Sequence, residues 1–158
     1  MSEVLAAVPA PLFDRLASLP VQGVIDATLI DSVGLRESLV RELGNLFGAR
    51  SARSVAHYLK GELTVLDYGL PDLSHLSARA EADRLVLTRV LHMAMASFEP
   101  RLAAVEVSVE PAADAPTRAH VRIAAAVRIG SALRRVEFDL ALPSGGGSPE
   151  LRQSAPNT

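Results

Sequence analysis

The chain has 158 residues, a length that suits one compact domain with tails. Its formal net charge is −2 at pH 7, and 49% of its residues are hydrophobic, which is enough apolar material for a core. Its near-neutral charge, with basic residues scattered along the chain, argues against electrostatic binding of nucleic acid. The absence of cysteine excludes disulfides, thiolate nucleophiles and cysteine-bound zinc.

The N-terminal segment, residues 1–11, has an early acidic residue, Glu3, and no basic region ahead of its apolar residues. It does not look like a secretory signal, and no stretch approaches the roughly 18 uninterrupted apolar residues that span a bilayer. We therefore expect a soluble, cytoplasmic protein without direct membrane insertion. Because Pro9 and Pro11 oppose regular structure, this segment is expected to be flexible.

A first helix is predicted from about Ser32 to Phe47. Apolar residues recur every four positions there, which gives a helix one buried face; they are Leu35, Leu39, Leu43 and Phe47. Asp31 or Ser32 is suited to cap the start of this helix, and Gly48 is suited to end it.

An irregular region follows, from residue 49 to residue 77, and a second helix is predicted from about Ala78 to Phe98. Within the irregular region, Gly69 and Pro71 indicate a turn. Ser77 is a natural cap for the second helix, which should end before Pro100, because proline disfavours helical geometry in the residue that precedes it.

The C-terminal third of the chain shows the period-two alternation of β-strands. Three strands are predicted, at Val105–Val109, Ala119–Ile129 and Val136–Leu142. Their short connections favour antiparallel hairpins, and their apolar face favours a cover of helices. The sequence thus predicts a small single α+β domain, residues 12–142, in which two main helices pack on an antiparallel sheet of about three strands. Residues 143–158 are expected to be a flexible Gly/Ser/Pro-rich tail.

Chemistry-bearing motifs are largely absent. The four histidines are far apart, and no HExxH, P-loop, GxGxxG or GxSxG sequence occurs. A pair of carboxylates is the remaining route to catalysis, because two acids can hydrolyse a glycosidic bond; the candidates are Glu62, Asp67, Asp72 and Glu99. Asp67 and Asp72 flank a Gly/Pro turn, where capping is the ordinary role of such residues. We predict no catalytic residue, no metal ligand, no cofactor and no enzymatic activity.

Three segments, in this order, carry a resemblance to a known family: LRESLVRELGNLF at Leu35–Phe47, LTVLDYGLPDL at Leu63–Leu73, and MAMASFEPRLAAVEVSV at Met93–Val109. Together they resemble the TssE family of type VI secretion baseplate subunits, which are relatives of the small wedge proteins of contractile phage tails. One stretch departs from the family. A Leu-Asn-Thr-Arg-like sequence usually follows the first helix, whereas Leu46–Arg50 has neither the asparagine nor the threonine.

The resemblance implies a structural subunit in the cytoplasmic baseplate. Its partners are then other wedge subunits (TssF-, TssG- and TssK-like) and the sheath protein. The subunit would help to nucleate the first ring of the sheath by strand exchange at an exposed sheet edge. Two other functions remain open: a wedge protein of a phage or phage-like contractile tail, and an anti-adaptor of the same fold that blocks a proteolysis adaptor.

The resemblance also implies a partner-binding site at the triplet Glu99, Pro100 and Arg101. In the alternative interpretation, Pro100 ends the helix and both charged side chains are solvated. Tyr68 and Leu70, in the YGLP turn, are lesser candidates for partner contacts, and burial in the chain's own core is the alternative for them.

Overall fold

The computed structural model describes residues 8–9, 29–30, 32–113, 118–129, 132–143 and 150–153. Two short strands, β1 (Val8–Pro9) and β2 (Leu29–Ile30), pair in antiparallel fashion ahead of the first helix. The rest of the predicted N-terminal segment lies outside the described residues, so its expected flexibility stays a prediction.

The first helix, α1, spans Ser32–Gly48 and confirms the predicted helix to within one residue. Its apolar stripe packs into the core as the four-residue spacing predicts. Five residues of this stripe are buried: Leu35, Leu39, Leu43, Leu46 and Phe47.

Gly44 weakens α1, because glycine in a helix interior loses more backbone entropy on folding than alanine does. A Cβ atom added at Gly44 meets nothing within 4 Å. We therefore expect Gly44→Ala to raise the free energy of unfolding by about 0.5–1 kcal/mol, measured as the midpoint of urea denaturation. No change, or a loss of stability, would mean that a contact of Gly44 outweighs helix propensity.

The region predicted as irregular contains two short helical turns. The first, α2, is Val55–Tyr58, and the second is a 3₁₀ turn at Val65–Asp67. Each begins at a residue whose hydroxyl accepts a backbone hydrogen bond, Ser54 and Thr64 respectively. Elements of three or four residues are too short to show a period, so the sequence pattern did not reveal them.

The second long helix, α3, spans Glu81–Phe98; its end was predicted correctly, but it begins three residues later than predicted. Ser77 is not its cap. The Ser77 hydroxyl instead accepts from the backbone N–H of Arg79 at 3.3 Å, forming a local turn. The carboxylate of Asp83, in the first turn of α3, accepts from the backbone N–H of Ser77 at 2.9 Å, which ties the preceding turn to the helix.

The sheet contains four strands among the described residues, one more than the three predicted. The strands are β3 (Leu102–Pro111), β4 (Ala119–Ile129), β5 (Ala132–Leu142) and β6 (Glu150–Gln153), and neighbours in this order pair in antiparallel fashion. The extra strand lies in the segment expected to be a tail. It has only four residues, too few for a clear alternation, but Leu151 of β6 lies opposite Leu140 of β5.

One face of the sheet joins the helices in a single hydrophobic cluster, and the predicted α+β class is confirmed. The largest fully buried side chains come from α1, α2, α3 and the sheet: among them are Leu39, Leu43, Tyr58, Leu91, Met95, Ile123, Phe138 and Leu140. The YGLP turn and the end of α3 are thereby attached to a rigid core.

Candidate functional site

Two segments singled out in the sequence lie side by side. Arg50, in the stretch that departs from the family pattern, forms a parallel β-bridge with Leu70 of the YGLP turn. The backbone N–H of Leu70 donates to the carbonyl of Ala49 at 3.0 Å, and that of Ser51 donates to the carbonyl of Leu70 at 2.9 Å. The chain after α1 therefore positions the turn through its backbone, which any residue type supplies.

Gly69 makes this close approach possible. Its φ is +105°, and a Cβ atom added there would lie 2.6 Å from the carbonyl oxygen of Ala49. The carbonyl of Gly69 accepts a 2.8 Å hydrogen bond from the hydroxyl of Tyr58. Burial of Tyr58, and secondarily the nearby charge of Asp67, raises the pKa of this tyrosine to about 12. The turn is thus attached to the core at Tyr58 as well as to the segment after α1.

Asp67 holds the N-terminal side of the same turn. Its carboxylate accepts from Arg53 Nε at 2.6 Å and Nη2 at 3.2 Å, and from the backbone N–H of Thr64 at 2.9 Å. The hydrogen bond from Arg53, followed by that from the Thr64 backbone, lowers the pKa of Asp67 from 3.8 to about 2. The predicted capping role of Asp67 is confirmed, and Asp72 likewise accepts from the backbone N–H of Ser74 at 3.0 Å.

The lowered pKa of Asp67 makes the stability of the fold depend on acid pH. Because the folded-state pKa of about 2 lies below the ordinary value of 3.8, the ionised group stabilises the fold above about pH 4, and this contribution is lost as the pH falls towards 2. We expect Asp67→Asn to unfold at lower urea concentration than the parent chain at pH 6. The difference between the two should shrink between pH 4 and pH 2.5.

Glu62→Gln, at an exposed carboxylate of the same region, is the matched control. A difference between Asp67→Asn and the parent that stays constant from pH 6 to pH 2.5 would contradict a role for the ionised carboxylate.

Glu99 and Arg101 form an ion pair within the chain. Arg101 donates from Nε to one carboxylate oxygen of Glu99 at 2.7 Å and from Nη2 to the other at 2.6 Å. Its Nη1 donates to the hydroxyl of Ser38 on α1 at 3.1 Å. Glu99 is only 5% exposed, so its charge is not solvated as the alternative interpretation held. The other part of that interpretation, a helix that ends before Pro100, is confirmed, since α3 ends at Phe98. We call Ser38, Glu99 and Arg101 the clamp, because they join α1 to the junction of α3 and β3.

Tyr68 lies beside the clamp. Its ring meets the ring of Phe98 edge-on, with 5.4 Å between centroids and 69° between planes. Partial burial, followed by the charges of Glu42 and Glu99, raises the pKa of the Tyr68 hydroxyl. Tyr68 remains 37% exposed. Three predicted site residues, Tyr68, Glu99 and Arg101, thus lie in one region.

The other two predicted site residues differ in exposure. Pro100 is exposed next to the clamp. Leu70 is 3% exposed and packs in the core, so in this conformation its side chain offers no surface to a partner. The β-bridge with Arg50 fixes the backbone of Leu70 beside the segment that follows α1.

Two residues of this region were missed from the sequence. Ser38 is three positions after Leu35 and one before Leu39, so the helical period alone places it on the buried face of α1. The apolar stripe itself consists of leucine and phenylalanine and does not indicate that a hydroxyl lies among them. Arg53 carried no signal, since its partner Asp67 is 14 positions further along an irregular stretch.

The described residues offer little else of chemical interest. They contain no group of three His, Asp or Glu side chains placed to hold a metal ion. No helix among them is both long and apolar enough to span a bilayer. The Ser54 hydroxyl lies 2.9 Å from His57 Nδ1, but the pair is exposed and the same hydroxyl accepts from the backbone N–H of His57 as a helix cap.

A family model described as "Baseplate wedge protein gp25" matches residues 33–132, well over half of the chain. Among solved structures, a chain of "The baseplate complex from the type VI secretion system" is 18% identical, with coverage of 77% of this chain and 94% of that chain and a TM-score of 0.48. At that TM-score, the likeness in backbone path is too slight to establish a common fold. No curated protein matches the chain.

Proposed function

We propose that the chain is a structural, non-enzymatic subunit of the cytoplasmic baseplate of a type VI secretion system. The premise is that the chain belongs to the family of baseplate wedge protein gp25. The predicted membership of the wedge superfamily is confirmed by the family match. A structural role in a baseplate follows from membership. Beyond that role, we propose the type of machine, the individual partners and the nucleation of the sheath.

The family match is the observation that carries the proposal. Residues 33–132 include nearly all of α1, the YGLP turn, the whole of α3 and the Glu99–Arg101 pair. The match therefore covers the elements that build the clamp region. The partners we propose are the TssF-, TssG- and TssK-like wedge subunits and the sheath protein.

Sheath nucleation by strand exchange needs an open sheet edge. In the described part of the chain, β6 pairs only with Phe138–Ala141 of β5, so residues 132–137 of β5 have no partner strand on that side. The opposite edge, β3, has an irregularity between Ala103 and Glu106 and ends in Pro111, features that oppose further pairing. We propose that a strand of the sheath protein adds beside β5.

The clamp is the proposed polar contact of this assembly. Arg101 retains partial exposure, with 26% of its side chain accessible, and Tyr68 and Pro100 are exposed. A partner carboxylate or carbonyl that approaches there meets a guanidinium already oriented by Glu99 and Ser38. Contact at this surface is thus compatible with the internal ion pair.

Co-purification of the tagged chain from its native cytoplasm, with partners identified by mass spectrometry, tests the proposal. We expect other wedge subunits, with or without sheath protein. Recovery of a proteolysis adaptor, or of no specific partner under conditions that preserve wedge complexes, would reject it. A wedge protein of a phage or phage-like tail is the second candidate, because the description of the matching family names a baseplate wedge protein without naming the machine. The genes neighbouring this one distinguish the two machines.

A further inference from the structure

Within the described residues, the strand β6 covers only part of the edge of β5. It is four residues long and pairs with Phe138–Ala141, whereas β4, on the other side of β5, pairs along all eleven residues of that strand. Residues 132–137 therefore offer backbone groups to a further strand beside the end of β6. A strand that adds there and continues along β5 meets β6 in its path.

The described side chains of β6 attach it weakly to β5. Of its four residues, Leu151 alone is apolar, and it is partly buried. Glu150 and Arg152 pair with each other at 3.6 Å, with 69% and 82% of their side chains exposed, and such surface pairs contribute little to stability. Asp139 of β5 lies opposite Arg152, but its carboxylate is 3.2 Å from Nε2 of His120 on β4.

The connection between the two strands does not fix their register. Residues 143–149 consist only of proline, serine and glycine. The connection is longer than the roughly two to five residues of tight hairpin loops, whose geometry sets the pairing of their strands. The pairing of β6 thus depends on its own four residues. A longer strand with more apolar residues can replace it with a gain in paired backbone and in buried apolar surface.

The buried residues of β5 specify the chemistry of such a replacement. Phe138 and Leu140 are both fully buried, and Leu151 of β6 lies opposite Leu140. Because β6 also contacts α1, its departure uncovers part of the core. The entering strand must therefore carry apolar residues at alternate positions, opposite Phe138 and Leu140.

We propose that β6 is a displaceable strand. In the isolated subunit it occupies Phe138–Ala141 of β5; a strand of the sheath protein pairs first with residues 132–137 and then takes the place of β6. This role rests on the proposed addition of a sheath strand beside β5. The free residues provide the starting point, since the entering strand forms its first hydrogen bonds there before any pairing of β6 is lost. Until then, β6 shortens the edge that the subunit offers to unrelated strands.

An engineered disulfide tests this role in the full-length chain, which has no cysteine of its own. Ala141→Cys/Glu150→Cys links β5 to β6 at directly opposite residues, whose spacing suits a disulfide. The probe is purified sheath protein of the same system. We expect the oxidised variant to bind it at least about tenfold more weakly than the same variant after reduction with dithiothreitol, because the locked form cannot release the edge.

His120→Cys/Ala141→Cys is the matched control. It shares one substitution with the lock but links β5 to β4, at residues that are also directly opposite. Because β4 stays in place, this variant should bind the sheath protein equally well when oxidised and when reduced. Equal losses in the two oxidised variants would place the effect at Ala141 itself and overturn the role of β6.

Leu151→Ser tests the same role without a disulfide. It removes the one apolar side chain that holds β6, so the edge opens more readily and the apparent affinity for the sheath protein should rise about two- to tenfold. Leu85→Ser, at a residue 61% exposed on α3, should bind like the parent. Weaker binding of Leu151→Ser would mean that β6 belongs to the contact surface, and the proposal would be wrong.

The parent chain separates this role from the proposed function. If the parent binds the sheath protein and the oxidised Ala141→Cys/Glu150→Cys variant binds as well as the reduced one, β6 stays in place and only its displacement is rejected. If the parent does not bind the sheath protein, the proposed nucleation is rejected and the displacement of β6 with it.

Discussion

Gly69→Ala should lower the free energy of unfolding by more than about 3 kcal/mol, a large effect for a single methyl group. The φ of +105° is strained for any residue with a side chain, and the new Cβ would lie 2.6 Å from the carbonyl oxygen and 2.7 Å from the carbonyl carbon of Ala49. Strain of this kind costs about 1–3 kcal/mol. Separation of the two backbone segments would also weaken the Leu70–Ala49 and Ser51–Leu70 hydrogen bonds, each with a net value of about 1 kcal/mol.

Thermal denaturation measures this effect, and a chain of this size should lose about 2–4 °C of Tm for each kcal/mol. Gly61→Ala is the matched control, since Gly61 has φ +84° but nothing lies within 4 Å of its added Cβ; it should cost only about 1 kcal/mol. Ala49→Gly should not rescue Gly69→Ala, because the nearest atoms belong to the Ala49 backbone. Equal losses in the two glycine variants would mean that the close approach contributes nothing.

The long elements of the fold could be predicted from the sequence because their periods extend over many residues. The end of α3 at Phe98 follows from Pro100, and the bounds of β4 follow from eleven residues of alternation. The short elements could not be predicted. The turns α2 and Val65–Asp67 and the strand β6 have three or four residues each. Besides the local caps at Ser54 and Thr64, the two turns are held by hydrogen bonds to residues more than ten positions away, Arg53 to Asp67 and Tyr58 to Gly69.

The candidate site, like the fold, could be predicted from the sequence only in part. The resemblance implied a site at Glu99 and Arg101, with Tyr68 as a lesser candidate, and the structure brings these three residues together. The sequence did not indicate that the two charges would pair with each other. Ion pairs between residues two apart at a helix–strand junction depend on the local backbone path, which periodicity does not describe. Leu70 is likewise buried at a point where its backbone bridges to Arg50, twenty positions earlier. Tertiary contacts, rather than local propensity, decide these details.

Arg101→Ala should lower the free energy of unfolding by about 2–3 kcal/mol, more than Glu99→Gln does. Loss of one partner of a buried pair costs about 3–5 kcal/mol, and partial exposure of Arg101 reduces this figure. The asymmetry arises because removal of Arg101 leaves a carboxylate whose side chain is 6% exposed, whereas removal of the negative charge leaves a guanidinium that is 26% exposed and can reach water. Urea denaturation of both variants measures the difference.

The double variant Glu99→Ala/Arg101→Ala separates the internal role of the clamp from its proposed role at a partner. Its loss of stability should fall short of the summed losses of Glu99→Ala and Arg101→Ala, each measured singly, by about 1–3 kcal/mol, since one interaction is removed twice in that sum. We expect the double variant to fail in sheath assembly at a temperature where it remains folded, because a desolvated polar contact with a partner contributes about 2–5 kcal/mol to association. Normal sheath tubes in electron micrographs would restrict Glu99 and Arg101 to holding α1 against the start of the sheet.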